Sequence, residues 1–456
     1  MSLLENHLKS GETAHLVGIG GVSMSPLAEV LRARGIRVTG SDMADSATVE
    51  HLRELGIHVT VGHSAENVIG AGYIIRTAAA REDNVEIAAA DRLNIPVFER
   101  ADAWGIIMRD YKNAVCVAGT HGKTTTTSMI AQIMLSAKAD PTVMIGGTLP
   151  AIGAAHRVGN GDSIVLEACE YYNSFHRFFP TVAVITNVDA DHLDFFENLD
   201  AIKASFRKFA GLVPESGFII ANGDDANTLD ALKGMEHEVF TFGLGANCTA
   251  RAERVKLDGK CSTFDVIYDD RLYCRVKLRI PGVHNVQNAL AAASVAICLE
   301  LPGEAVEDAL ASFTGAHRRF ERMGKINGAD VIDDYAHHPG ELHALFDAIA
   351  QLGYKRVLVA FQPHTYTRTH ALFDDFRREL SRADVTYLAD IYAAREQNTI
   401  GISSADLAKA IPGAIYCPDF DRLTELLAQE AREGDVILTV GAGDINKVAC
   451  QLTIDN

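Results

Sequence analysis

The stretch Gly119-Thr120-His121-Gly122-Lys123-Thr124-Thr125 follows the apolar run 114–118 and precedes a helix-like segment over residues 126–137. A buried strand, a glycine-rich loop, a lysine, a hydroxyl side chain and a helix, in this order, are typical of a phosphate-binding loop. Backbone N–H groups at the start of the helix would surround the phosphates, Lys123 would reach the β- and γ-phosphates, and Thr124 would hold Mg²⁺. The common loop has glycine where this chain has Val117, so the loop is a shortened variant. The sequence therefore predicts an α/β unit that binds ATP.

Length, composition, net charge and cysteine spacing disfavour several classes of protein. A chain of 456 residues suggests about three domains, and 48% hydrophobic with 22% charged residues is ordinary globular composition. The net charge of −18 argues against nucleic acid or an anionic membrane as the main partner. The eight cysteines contain no Cys-x-x-Cys pair, which disfavours a zinc ribbon and fits a reducing compartment. With neither a signal-peptide pattern nor an apolar run long enough to span a bilayer, we expect a cytoplasmic protein without a membrane partner.

The first segment, residues 1–110, alternates short apolar runs with amphipathic stretches, which predicts a Rossmann-like domain with a parallel sheet. The turn 18–23 nearly matches the dinucleotide fingerprint, but Ser23 stands at the third glycine position. Asp42 ends the second predicted strand, where such folds often contact a ribose. The turn therefore favours a pyrophosphate ligand of open identity, and a tight glycine turn without a ligand is the alternative.

Two further α/β segments follow. Residues 111–314 form the predicted P-loop domain, and the runs 249–255, 262–268 and 272–279 alternate apolar and polar residues as antiparallel strands do. Residues 315–456 return to a βαβ rhythm, with strand-like runs at 357–360, 385–389 and 436–440. The fold class is therefore α/β, with Rossmann-like outer domains around a central domain that carries an antiparallel extension.

Polar side chains collect where predicted strands end, which is where α/β sheets bind ligands. Glu167 and Glu170 end one strand of the P-loop domain, and either could hold Mg²⁺. The stretch 186–194 brings three acids and a histidine to the next strand end, as a metal or phosphate site would. In the third segment, polar, cationic and aromatic side chains collect in the stretches 333–339 and 361–369, which also follow predicted strands. His364 and Arg368 on one loop would suit a small carboxylate, whereas zinc at His337 and His338 lacks an evident third ligand.

These motifs resemble those of the Mur ligases, ATP-dependent enzymes that form amide bonds in peptidoglycan synthesis, over essentially the whole chain. The shortened loop is the form that this family uses, and Glu170 and the stretches 189–192, 284–289 and 317–321 match its motifs. Within the family, the stretches 18–25, 333–339 and 361–369 are typical of members that join L-alanine to UDP-N-acetylmuramate. The resemblance implies that ATP, with Mg²⁺, activates the sugar carboxylate as an acyl phosphate, which the amine of L-alanine then attacks.

The resemblance also implies the roles of individual residues. We expect the protein to be a monomer or a homodimer. The catalytic residues would be Lys123, Glu170, His192 and Arg319, and the Mg²⁺ ligands Thr124, Glu170 and His192. ATP would contact Gly119, Thr120, His121, Gly122, Lys123, Thr124, Thr125, His284, Asn285, Asn288, Arg319 and Asp334. The UDP-sugar would contact Gly18, Gly20, Gly21, Ser41, Asp42, His63, Thr77 and Ala78. The amino acid would contact His338, His364 and Arg368.

Two positions depart from the pattern or stay unassigned. Cys169 stands where some family members have an aspartate, and a thiol cannot supply that charge. Some members also use a carbamylated lysine near the metals, but neither Lys203 nor Lys208 aligns clearly with it. The sequence leaves that role open.

Two other functions compete with this interpretation. A salvage ligase of the same family, which joins a tripeptide to UDP-N-acetylmuramate, would share the loop and the first domain. A nicotinamide-binding oxidoreductase or sensor would explain the first glycine turn and Asp42. Ser23 and the separate ATP loop speak against the oxidoreductase.

Overall fold

The computed structural model describes residues 3–77, 79–259, 261–394 and 396–454, and it contains three sheets in chain order. The first sheet consists of strands β1 (Thr13–Val17), β2 (Arg37–Asp42), β3 (His58–Val61), β4 (Tyr73–Arg76) and β5 (Val97–Glu99). Around it lie helices α1 (Leu3–Lys9), α2 (Met24–Ala33), α3 (Ala47–Glu54), α4 (Val85–Arg92) and α5 (Arg100–Met108). All neighbours are parallel in the order β3-β2-β1-β4-β5, which confirms the Rossmann-like prediction. The strand order reverses between β1 and β4, so the glycine turn after β1 lies where such sheets bind ligands.

The central domain contains a sheet of ten strands. They are β6 (Asn113–Ala118), β7 (Thr142–Leu149), β8 (Ala154–Arg157), β9 (Ser163–Glu167), β10 (Val182–Ile185), β11 (Phe218–Asn222), β12 (Val239–Gly243), β13 (Ala250–Leu257), β14 (Ser262–Tyr268) and β15 (Arg271–Leu278). The helices are α6 (Lys123–Ser136), α7 (Leu199–Ala210), α8 (Ala226–Leu232), α9 (Val283–Cys298) and α10 (Gly303–Ser312). The order is β15-β14-β13-β12-β11-β10-β6-β9-β7-β8. The three strands β13–β15 pair antiparallel, as their alternating pattern predicts.

The third sheet contains β16 (Glu321–Ile326), β17 (Ala329–Asp334), β18 (Val357–Phe361), β19 (Val385–Leu388), β20 (Ile415–Tyr416) and β21 (Val436–Val440). Its helices are α11 (Pro339–Ala350), α12 (Tyr366–Ala371), α13 (Phe373–Leu380), α14 (Ser404–Ala410), α15 (Phe420–Glu430) and α16 (Asn446–Thr453). The order is β16-β17-β21-β18-β19-β20, and only the β16–β17 pair is antiparallel. The motif stretches 333–339 and 361–369 begin at the carboxyl ends of β17 and β18, where the parallel arrangement brings them together.

The first and central domains share an apolar core, whereas the third domain has its own. One buried cluster runs from the first sheet through Trp104 on α5 into the central domain, where it includes Phe175 and Phe209. The core of the third sheet forms separate clusters. The first two domains therefore share apolar packing, whereas the third meets the central domain largely through the polar loops at the strand ends. Among the described residues, no helix is long and apolar enough to cross a membrane.

The packing of α5 against the central domain generates a prediction at Gly105. A Cβ atom at Gly105 would lie 2.0 Å from the backbone carbonyl oxygen of Arg177, so the two segments would have to separate. Alanine inside a helix is otherwise favourable by about 1 kcal/mol, but overpacking of this kind costs about 1–3 kcal/mol. We expect Gly105→Ala to lower the temperature of thermal unfolding. Gly211→Ala is the control, because a Cβ there meets nothing closer than 3.4 Å. An unchanged unfolding temperature in Gly105→Ala would contradict the close packing.

Candidate active site

The phosphate loop is held in shape by two glycines and by the neighbouring strand β10. Gly119 and Gly122 have φ angles of +144° and +80°, which disfavour any side chain. A Cβ atom at Gly119 would also lie 1.9 Å from Thr186 Oγ1, just beyond β10. Thr186 Oγ1 donates a hydrogen bond to the carbonyl oxygen of His121 at 2.6 Å, and Asn187 Oδ1 accepts one from the His121 N–H at 2.8 Å. Helix α6 begins at Lys123, so the loop ends at a helix N-terminus as predicted.

Lys123 is paired with Glu170 in the structure. Its Nζ lies 3.1 Å and 3.0 Å from the two carboxylate oxygens of Glu170 and 3.1 Å from the carbonyl oxygen of Thr120. Burial would lower the pKa of Lys123, but the charge of Glu170 outweighs burial and raises the pKa above its ordinary value. The lysine is therefore a permanent cation at the phosphate loop, and a phosphate that binds it would have to replace Glu170.

Thr124 contacts the other strand-end carboxylate, Glu167. Thr124 Oγ1 donates to Glu167 Oε2 at 2.9 Å, and the N–H of Gly146 donates to the same oxygen at 2.8 Å. Hydroxyl and carboxylate oxygens are both ligands that Mg²⁺ takes, so these two groups suit such an ion once the hydrogen bond between them opens. The predicted ligand Glu170 pairs with Lys123 instead. His192, the other predicted ligand, stacks on Tyr171 with ring centroids 4.4 Å apart.

A cavity of about 370 Å³ lies between the central and third domains, beside the phosphate loop. Its lining includes nine of the twelve residues predicted to bind ATP: His121, Gly122, Thr124, Thr125, His284, Asn285, Asn288, Arg319 and Asp334. Three residues that the sequence did not predict line the same space from separate parts of the fold: Asp224, Phe242 and Leu345. Their ordinary residue types carried no motif that could have identified them. The cavity has the mixed apolar and polar lining that a nucleotide requires.

Two ionisable groups in this cavity have shifted pKa values. Burial lowers the pKa of His284 to about 4, so its imidazole is neutral at pH 7. Burial also raises the pKa of Asp334 to about 6, against the opposing charge of Arg319. The Asp334 carboxylate accepts hydrogen bonds from the N–H groups of Phe320 and Ala336 at 2.7 Å and 2.8 Å. Arg319 faces the phosphate loop from the third domain, with Nη2 3.5 Å from Thr124 Oγ1.

His121 joins the phosphate loop to the third domain through charges. Its Nε2 lies 3.7 Å from Asp189 Oδ2, and its Nδ1 lies 3.4 Å from Glu341 Oε1 on α11. Burial would lower the pKa of His121, but these two carboxylates raise it to about 9. Possible metal-ligating atoms of His121, Asp189 and His338 lie within 4.8 Å of one another. Without an ion bound, a protonated His121 supplies the positive charge in this cluster.

The third-domain loop predicted to bind a carboxylate brings His364 and Arg368 together, because Arg368 Nη1 lies 3.1 Å from His364 Nδ1. The structure adds Asp191, whose carboxylate lies 3.0 Å from Arg368, and His337, whose ring lies 5.7 Å from that of His364. His338 instead contacts the carbonyl oxygen of Ala190 at 3.1 Å and accepts the N–H of Gly340. The sequence places both histidines at one strand end, and only the backbone path decides which of them turns toward His364.

The predicted UDP-sugar site surrounds the first glycine turn. Gly18 has a φ of +78°, and Asp42 Oδ2 accepts the N–H of Gly20 at 2.9 Å, so Asp42 holds the turn itself. The Cβ of an added side chain at Gly18 would lie 2.6 Å from Thr77, the neighbouring strand end. Ser41 and His63 lie together, with Ser41 Oγ 3.0 Å from His63 Nδ1. The predicted residue Ala78 lies outside the described residues.

Glu86 on α4, which the sequence did not predict as a site residue, organises this site. Its fully buried carboxylate accepts from Ser41 Oγ at 2.6 Å and lies 3.3 Å from His63 Nδ1 and 3.6 Å from His15 Nε2. Burial would raise the pKa of Glu86, but the nearby imidazole of His15 and hydrogen bonds from Ser41 and Asn67 lower it to about 2. No motif marks Glu86, because it lies in an ordinary amphipathic helix more than forty residues from Ser41.

Comparison with known proteins extends these observations over the whole chain. Family models match residues 13–112 (Mur ligase family, catalytic domain), 117–296 (Mur ligase middle domain) and 318–443 (Mur ligase, glutamate ligase domain). A UDP-N-acetylmuramate–L-alanine ligase of Caldanaerobacter subterraneus subsp. tengcongensis is 45% identical over 99% of this chain and all of that protein. One of Acetivibrio thermocellus is 45% identical over 95% of this chain and 94% of that protein. The crystal structure of a UDP-N-acetylmuramate–alanine ligase from Thermotoga maritima superposes with a TM-score of 0.80 at 29% identity, over 97% of this chain and 99% of that one.

The network around Glu86 generates a prediction with a definite pH dependence. A carboxyl group with a pKa of about 2, against about 4.3 when unfolded, stabilises the folded state by roughly 3 kcal/mol above pH 4.3. This stabilisation is lost as the pH falls toward 2, because protonation then occurs in both states. We expect Glu86→Gln to unfold more easily than the unaltered protein at pH 7, and the difference to shrink by about half at pH 3. Chemical unfolding at the two pH values measures both effects.

Glu82→Gln serves as the control for Glu86→Gln. The Glu82 side chain is 81% exposed and pairs with Arg76 at the surface, so its loss should leave the stability nearly unchanged. A Glu86→Gln variant as stable as this control at pH 7 would mean that the buried network does not hold the carboxylate in its ionised form.

Proposed function

This chain belongs to the Mur ligase family, and we propose that it joins L-alanine to the carboxylate of UDP-N-acetylmuramate at the expense of ATP, in peptidoglycan precursor synthesis. One observation carries the proposal: a single loop connects the phosphate-binding site with the carboxylate-binding residues. At one end of that loop, the N–H of Asp189 donates to Thr120 Oγ1 in the phosphate loop at 2.8 Å. Two residues later, Asp191 contacts Arg368 of the third domain at 3.0 Å. An amino acid at Arg368 would therefore lie beside the phosphate-transfer site.

The reaction explains why both sites are needed. A carboxylate is a poor electrophile, because an oxide ion is a poor leaving group. Transfer of the γ-phosphoryl group of ATP to a carboxylate oxygen gives ADP and an acyl phosphate. The amine nitrogen then attacks the carbonyl carbon, a tetrahedral intermediate forms, and phosphate leaves as the amine gives up a proton. The protein must hold two polyanions together and stabilise the charge of the transferring phosphoryl group.

The cations around the phosphate loop would carry out this task. Lys123 would exchange its Glu170 partner for phosphate oxygens, and Arg319 would approach the same oxygens from the third domain. Mg²⁺ would neutralise phosphate charge when bound, with Thr124 and the strand-end glutamates as ligands at one site and His192 at a second. The oxygen pair of Thr124 and Glu167 supports the first of these sites. The neutral imidazole of His284 suits the uncharged base of ATP better than a charged group would.

The first domain would bind the UDP moiety. The turn at Gly18, Gly20 and Gly21 would face the pyrophosphate, which would compete for N–H groups that donate to Ser41 O, Asp42 Oδ2 and Gly18 O in the structure. Ser41 and His63, held by Glu86, would contact the uridine. Since ATP and nucleotide sugars are the substrates, we place the enzyme in the cytoplasm.

The size of the space beside Arg368 favours alanine over a tripeptide. A cavity of about 130 Å³ lies there, smaller than the roughly 300–1,000 Å³ of pockets that hold drug-sized ligands. A single amino acid suits a cavity of this size better than a tripeptide does. The salvage reaction therefore has less support than the ligation of alanine.

Phosphate release from ATP and Mg²⁺ tests the proposal directly. The assay contains UDP-N-acetylmuramate and scans the twenty amino acids, then a tripeptide. We expect release that depends on both the sugar nucleotide and L-alanine. Release with the tripeptide alone would identify the salvage reaction, and no release with any acceptor would contradict the proposal.

A substitution in the loop tests the proposed chemistry. Lys123→Ala should lower kcat by about 10²-fold or more, because it removes a cation whose contribution is greatest in the transition state. Lys409→Ala is the control, since the Lys409 side chain is 79% exposed and lies on α14, away from the loop. Steady-state kinetics with L-alanine compare the two variants. Near-normal turnover of Lys123→Ala would exclude this loop as the catalytic one.

A further inference from the structure

Arg368 and Asp191 form a buried ion pair between two domains. Arg368 Nε and Nη2 each lie 3.0 Å from Asp191 Oδ1, and Nη2 lies 3.4 Å from Oδ2. The two side chains are 9% and 8% exposed. Arg368 Nη1 contacts the ring and the carbonyl oxygen of His364. Every nitrogen of the guanidinium group therefore already has an acceptor, and a substrate carboxylate can bind it well only if one of these acceptors moves.

A small cavity opens directly beside this ion pair. It has a volume of about 130 Å³ and is lined by both members of the pair. Three kinds of side chain complete the lining. Apolar groups come from Ala190, Leu193, Ala371 and Leu372, hydroxyl groups from Thr365 and Thr367, and further charged or ionisable groups from His192 and Asp194. The cavity thus offers one cation, at least one anion and an apolar wall within the space of a small molecule.

This arrangement complements a zwitterionic amino acid, which carries a carboxylate, an ammonium group and, in alanine, one methyl group. Two buried charges that pair with each other can instead pair with the two opposite charges of such a substrate. A buried Arg368 and a buried Asp191 would each be costly if left unpaired, so they pair with each other until the substrate separates them.

We propose that Asp191 binds the ammonium group of L-alanine while Arg368 binds its carboxylate, so that the substrate inserts between the two side chains. This inference rests on the proposed function, because it concerns the amino acid of that reaction. The methyl group then faces the apolar wall. Asp191 is thereby a substrate-binding residue, in addition to the role it has in joining the loop 189–192 to the third domain.

The other carboxylates near the cavity have different partners. Asp194 Oδ2 accepts the hydroxyl group of Tyr171, and Glu396 accepts the N–H groups of Tyr366 and Thr367 at 2.7 Å and 3.0 Å. Among the carboxylates of the described residues, Asp191 is the one that contacts Arg368. The contrasting possibility is that Asp191 only occupies the place of the substrate carboxylate and leaves when alanine binds. When the charge of Asp191 is removed, the first possibility predicts a higher KM for L-alanine and the second does not.

Asp191→Asn keeps the shape of the side chain and removes its charge. We expect the KM for L-alanine to rise about 10- to 100-fold, because one charge-assisted contact to the ammonium group is lost. Propionate, which has the carboxylate and the methyl group but no ammonium group, should inhibit the variant more strongly than the unaltered enzyme, because the repelling carboxylate is gone. The KM values for ATP and UDP-N-acetylmuramate should change less than threefold. This opposite response of alanine and propionate is the signature of ammonium binding.

Several outcomes would overturn the inference. A lower or unchanged KM for alanine, together with stronger inhibition by propionate, would mean that Asp191 merely occupies the substrate position. A comparable rise in all three KM values would mean that Asp191 acts only in holding the domains together. The matched variant Asp194→Asn changes the other aspartate of the cavity, and a larger rise in alanine KM there than in Asp191→Asn would assign the ammonium group to Asp194. If the unaltered enzyme forms no product from alanine, the proposed function fails instead, which is a separate result.

Discussion

The need to pair buried charges governs the seam between the central and third domains. In the part of the chain that the structure describes, carboxylates pair with several cations beside it: Lys123 with Glu170, His121 with Asp189 and Glu341, and Arg368 with Asp191. A site for polyanions must contain cations that are out of bulk water, and such cations are costly when they are unpaired. The chain meets this requirement with its own carboxylates. Under the proposed function, a phosphate at Lys123 and an amino-acid carboxylate at Arg368 would each replace a carboxylate of the chain.

The architecture explains where this seam lies. Parallel strands bring their carboxyl ends to one edge of a sheet, so the loops after β6, β9 and β10 meet at the phosphate site, and those after β17 and β18 meet opposite them. The apolar core continues from the first domain into the central one, but the third domain has its own core. A polar interface of charge pairs can open and close at modest cost, whereas a shared apolar core cannot. This difference suits the third domain, rather than the first, to move when ligands bind.

Local sequence patterns predicted some elements of the fold accurately and failed where tertiary contacts decide the structure. The runs 262–268 and 436–440 were predicted with the bounds that the structure has, because strongly apolar or alternating runs between turn residues leave little choice. Helix α6 begins at Lys123 rather than at residue 126, because the loop glycines and contacts from β10 fix its first turn where the run of threonines gives no helical pattern. The strand β3 was not identified, since four residues of mixed polarity give a weak signal.

The sequence by itself determined the phosphate loop, the α/β class, the antiparallel extension and the clustering of polar residues at strand ends, because each depends on neighbours in the chain. Only the tertiary structure decided the partners: that Glu170 pairs with Lys123 while Glu167 contacts Thr124, that His337 rather than His338 approaches His364, and that Glu86 lies beneath Ser41. The physical reason is that a side chain's charge state and orientation depend on groups brought near by folding, such as Asp191 and Arg368, which are 177 positions apart. Residue type and spacing indicate where chemistry can occur, and the packing of distant strand ends decides which atoms meet.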